Sequence, residues 1–145
     1  MSAPALPRAA VWMGYGGLLP FALGALLAWL LGRPEDLDAH ALVMQALSLY
    51  AALIISFLAG IHWAAGMFKP ESGGFGRGVV IMLLAWPAAL MPAFAGLVVH
   101  GLLLLALYAV DRRHYPLLGL QPWLLLRFRC SVGAALFCFL AAAAT

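Results

Sequence analysis

The chain has 145 residues, of which 66% are hydrophobic and only 9% charged, with a mean hydropathy of +1.04. A soluble domain of this size needs far more polar surface to cover its core, so the composition excludes one and points to an integral membrane protein built as one unit, residues 1–145. The net charge of +3 lies in short gaps between apolar runs rather than on a solvated face, which speaks for membrane orientation and against a nucleic-acid partner.

The first apolar run reaches from Ala9 to Leu31. Its core is longer than that of a signal peptide and no A-x-A-like site closes it, so a retained membrane helix is expected. Within it "GYGGLLPF" (14–21) holds three glycines and a proline, which predicts a kink or a close helix contact. "GRPEDLD" (32–38) ends the run, and the second extends to Phe68, some 30 residues against the roughly 20 that span a bilayer.

"KPESGGFGR" (69–77) reads as a loop. From Gly78 to Val110 there is no Asp, Glu, Lys or Arg. A single helix over that stretch would be about 50 Å long, well beyond a bilayer core of about 30 Å. Pro87 and Pro92 therefore predict a helical hairpin with its turn near Met91 to Phe94, a re-entrant pair being the alternative. "DRRHYPLLGLQP" (111–122) reads as the last loop. The final run, Trp123 to Ala144, starts with Arg127 and Arg129, which are expected to snorkel to the interface.

The expectation is thus an all-α polytopic membrane helix bundle of about five spans, approximately 9–31, 40–68, 76–91, 94–110 and 123–144. With the N-terminus in the cytoplasm, Arg8, Lys69, Arg77, Arg112, Arg113, Arg127 and Arg129 fall on the cytoplasmic side and only Arg33 on the other. That is the bias the positive-inside rule requires.

"GYGGLLPF", "SFLAGIHW" (56–63), "LLAW" (83–86), "VDRR" (110–113) and "PWLLLRFR" (122–129) follow one another in an order that resembles an uncharacterised family of bacterial inner-membrane proteins related to mitochondrial transmembrane protein 69. The resemblance covers roughly residues 10 to 140. It implies the bacterial inner membrane as the location, several spans and no established activity, and it carries over no catalytic or cofactor residues.

Small residues recur every fourth position in the second run, at Ser48, Ala52, Ser56, Gly60 and Ala64, which predicts a helix-packing seam. Cys130, Ala134, Cys138 and Ala142 repeat the pattern in the last run. The two cysteines are about 12 Å apart by helical rise, too far for a disulfide. His62 and His100 are the strongly polar side chains well inside the runs. Their depths differ by roughly 10–15 Å along the membrane normal, which argues against a shared haem. No cluster has metal-ligand spacing, and with the acids assigned to loops no general base has a partner.

His62 and Trp63 are accordingly read as marking the interfacial end of the second span. His62, Trp63 and Trp86 remain the candidate contacts for a quinone, lipid or pigment, as the alternative reading. The expected function is that of a small accessory, assembly or scaffold component of a membrane complex. Its partners would be the lipid bilayer and subunits of that complex, with no catalytic residues, no metal and no required cofactor. A transporter is disfavoured by the lack of repeats and of carboxylates within the spans.

Overall fold

A computed structural model describes residues 5–145. It is all-helical: among the described residues there are six α-helices, short 3-10 turns and no strand. Four segments are long and apolar enough to cross a membrane, namely Arg8–Leu30, Pro34–Phe68, Ala93–Leu118 and Gln121–Ala142. The remaining apolar helix, Gly74–Leu90, has 17 residues and is about 26 Å long, slightly short of the hydrocarbon core. The protein is a membrane helix bundle.

The first run is broken where the glycines and proline fall. Helix α1 (Arg8–Gly16) ends before Gly17, and α2 (Leu19–Leu30) restarts with Pro20 in its first turn. In an apolar medium the backbone groups at such a break need partners from neighbouring helices. Here the Gly17 carbonyl accepts from the Tyr50 hydroxyl at 2.9 Å, and the Gly14 carbonyl accepts from Cys130 Sγ at 3.6 Å.

Helix α3 (Leu37–Phe68) is a single rod of 32 residues at the middle of the bundle, in contact with α2, α4, α5 and α6. Helix α4 (Gly74–Leu90) passes through Pro87 without ending there. The hairpin break comes at Met91 and Pro92, both in extended backbone, and α5 (Ala93–His114) follows. The expected turn near Met91 to Phe94 is therefore found, with Pro92 rather than Pro87 as the breaker. Helix α6 (Leu124–Ala142) packs on α5 and α2 and also meets α1.

The core is built from Phe21, Ala25 and Ala28 of α2 and from Leu47, Ala51 and Ile55 of α3. These meet Leu97 and Leu104 of α5 and Ala134, Ala135 and Cys138 of α6. Alanine and glycine on facing helices permit close backbone approach, the packing device of membrane bundles. It is tightest between α3 and α4. There, a Cβ added at Gly78 would lie 2.9 Å from the Ala59 carbonyl oxygen and 3.1 Å from Trp63 N.

The seam expected on α3 is rotated. Ser48 is buried, Ala52, Ser56 and Ala64 are half-buried, and Gly60 is exposed, with nothing within 4 Å of a Cβ built on it. The buried stripe is Ser48, Ala51, Ile55, Ala59, His62 and Gly66. Strict four-residue spacing drifts around a helix of 3.6 residues per turn, whereas alternating steps of three and four stay on one face. The seam on α6 falls closer to expectation, with Ala134 and Cys138 buried and Cys130 and Ala142 half-buried.

Candidate functional site

One end of the bundle holds a buried polar cluster drawn from four helices. His62 and Asp111 are almost wholly enclosed, and Arg127 is 8% exposed. The Asp111 Oδ1 is 2.7 Å from His62 Nε2, and its Oδ2 accepts from Arg127 Nε at 2.9 Å and from Arg127 Nη2 at 2.5 Å. On the other side of the imidazole, Arg77 Nε donates to His62 Nδ1 at 3.4 Å. A nitrogen that accepts carries no hydrogen, so the ring proton sits on Nε2 and is donated to Asp111. Arg77 also donates through Nη1 to the Ser72 carbonyl, tying α4 to the loop before it. Tyr115 is buried against the imidazole with ring centroids 6.2 Å apart, and His114 meets it edge-on at 6.3 Å.

This geometry corrects three expectations. His62 is enclosed in the bundle and not an interfacial anchor. Asp111 belongs to the last turn of α5, inside the bundle, and not to a loop. Arg127 does not snorkel: it turns inward onto Asp111, while Arg129 is exposed and donates to the Tyr15 hydroxyl at 3.1 Å. The cause is common to all three. A buried carboxylate without a cation is very costly, so a helix end that buries Asp111 draws Arg127 and His62 onto it. Both ring nitrogens of His62 are engaged within the cluster.

The three candidate contacts of the sequence are not brought together. Trp63 leaves the cluster to pack edge-on against Phe75 with centroids 4.9 Å apart, and Trp86 is exposed on α4. His100 lies in a separate site. Its Nε2 donates to the Ala85 carbonyl at 3.1 Å and its Nδ1 accepts from Ser48 Oγ at 3.3 Å, joining α5 to α4 and α3. Ser48 is about four turns, or roughly 21 Å, along α3 from His62, so the two histidines do not meet. Among the described residues no group of three or more His, Cys, Asp or Glu could hold a metal.

Beside the polar cluster, α1, α2, α3, α5 and α6 enclose a cavity of about 410 Å³. Its walls are apolar, with Phe21, Leu58 and Leu104 deep inside, and with the exposed Met13 and Phe57 where it opens on the bundle surface. Arg127 and Ser131 line it, together with the Trp123 indole and the Cys130 thiol. Ser131 is 1% exposed, and its hydroxyl has no hydrogen-bond partner among the described residues. The sequence carries a signal for this wall, since Arg127, Ser131, Ala134, Cys138 and Ala141 continue one face of α6 in steps of three and four. A shallow depression on α2, lined by Leu19, Pro20, Ala22, Leu23 and Leu26, has no polar side chain.

Fold and site together define a polytopic helical membrane protein with a buried ion-paired cluster bordering an apolar cavity. The family model described as "Protein of unknown function (DUF3429)" matches residues 6–143, and the chain belongs to that family. It matches no curated protein and no solved structure.

Proposed function

We propose that this protein binds an amphipathic molecule of the quinone or lipid class in the cavity between α1–α2, α3 and α6, and that it serves a membrane complex as a non-catalytic accessory component. The cavity itself carries this reading. Small-molecule sites are apolar clefts with a few convergent polar groups, and this cleft ends on Ser131 and Arg127 while its mouth opens between apolar side chains. In a membrane such a mouth faces lipid tails, so the ligand would enter from the side. The engaged nitrogens of His62 favour binding over catalysis.

The proposal includes the bacterial inner membrane as the location, with the N-terminus in the cytoplasm, and kinship with mitochondrial transmembrane protein 69. The charge bias supports the orientation. The ordered motifs "GYGGLLPF", "SFLAGIHW", "VDRR" and "PWLLLRFR" support the kinship.

Purification of the native protein in mild detergent, followed by mass spectrometry and an absorbance spectrum, tests the function. A stoichiometric quinone or lipid is the expected result. Recovery with a protein subunit and an empty cavity would leave the accessory role standing alone.

A further inference from the structure

The polar end of the cavity is an ion pair. Arg127 is the cation there, and Asp111 is bonded to two of its N–H groups, so the pair presents no net charge to the cavity. Of the neutral polar groups in the lining, the Ser131 hydroxyl is the one that is both enclosed and without a partner among the described residues. An anionic head placed in this space would be desolvated with no unpaired cation in the cavity lining and would have to compete with Asp111 for Arg127, which is costly in both respects. A neutral acceptor costs much less to desolvate, and it satisfies a donor that is otherwise orphaned.

The size of the space adds a second limit. About 410 Å³ lies near the lower end of the roughly 300–1,000 Å³ of small-molecule pockets, enough for one head group and the first part of one chain. The rest of a tail would leave between Met13 and Phe57. We infer that the cavity takes a single-tailed amphiphile with an uncharged carbonyl head, its carbonyl oxygen accepting from Ser131 Oγ. This rests on the binding role proposed above and adds the chemistry of the head. A quinone and a neutral acyl ester share that chemistry.

The test uses the full chain in detergent and the fluorescence of its tryptophans, because Trp123 lines the cavity and a bound quinone ring quenches indole emission. Decyl-ubiquinone is titrated as the quinone probe. Monooleoylglycerol, a neutral ester, and lysophosphatidylglycerol, an anionic one, are competitors. Expected are saturable quenching that Trp123→Phe diminishes, displacement by the neutral ester, and little displacement by the anionic one. Ser131→Ala should weaken binding about five-fold, the worth of one hydrogen bond, and Ser131→Thr, which keeps the hydroxyl, should retain it. Binding of a fluorescent monoacylglycerol without saturable quinone quenching would uphold the head chemistry and assign the source to lipid.

Preferred binding of lysophosphatidylglycerol, weakening as salt rises, would overturn the neutral head while leaving the cavity as a site. Unchanged affinity in Ser131→Ala would also overturn it, showing the hydroxyl turned back on its own helix. Non-saturable quenching unaffected by Trp123→Phe, with no monoacylglycerol binding, would remove the head chemistry and the binding role together.

Discussion

Arg127 on α6 closes on Asp111 of α5 through two donors to the same oxygen, Oδ2, in a setting where Asp111 is 1% exposed. Arg127 is the one full cation bonded to Asp111, with His62 on the other oxygen, so the pair should be intolerant of losing one member. Asp111→Asn leaves the guanidinium buried without a counter-ion and should cost about 3–5 kcal/mol. The double variant Asp111→Leu/Arg127→Met removes both charges and should recover most of that loss. Thermal midpoints in detergent measure both. A wild-type midpoint for Asp111→Asn would mean that the pair is solvated.

His62 supplies the other oxygen of Asp111 with its donor and takes one from Arg77. His62→Phe removes both contacts and should destabilise by about 1–3 kcal/mol, the penalty for orphaned buried groups. His62→Gln keeps an N–H donor, and its loss should be smaller. Equal midpoints for the two variants would show that packing, and not hydrogen bonding, explains the position.

Two glycines on neighbouring helices should behave oppositely. Gly78 lies against the α3 backbone, so Gly78→Leu should push α4 off α3 at about 1–3 kcal/mol or more. Gly60 points outward with open space around it, and Gly60→Leu should leave the midpoint unchanged. Destabilisation by the Gly60 variant would place an unseen partner or a second copy of the chain on that face.

The proposed orientation is checked by reporter fusions. Residue 36 should report the far side, and residues 73 and 116 the cytoplasmic side. A fusion at residue 91 should match residue 36 if α4 crosses fully, and residue 73 if α4 re-enters. Agreement between 36 and 73 would end the five-crossing arrangement.

Sequence alone determined the class of this protein, because hydropathy is summed over a whole run and needs no knowledge of neighbours. A chain that is 66% hydrophobic, with polar breaks at 32–38, 69–77 and 111–122, has to be a bundle of apolar helices. Glycine and proline act locally too, so the break inside "GYGGLLPF" and the turn at Pro92 were legible. Tertiary structure alone decided what the polar residues do. Asp111 and Arg127 stand at the ends of apolar runs, where a charge is equally suited to water or to a buried partner. Their places at the ends of the stripes Leu104, Leu107, Asp111 and Arg127, Ser131, Ala134 pointed inward. A stripe, however, gives only a face. Whether a charged end of that face is buried depends on a counter-charge from another helix, and the Asp111–Arg127 pair exists only once α5 and α6 have packed. The rotation of α3 was decided in the same way, by the glycines of α4 and the helices around it, which bury Ala59 and His62 and leave Gly60 outside.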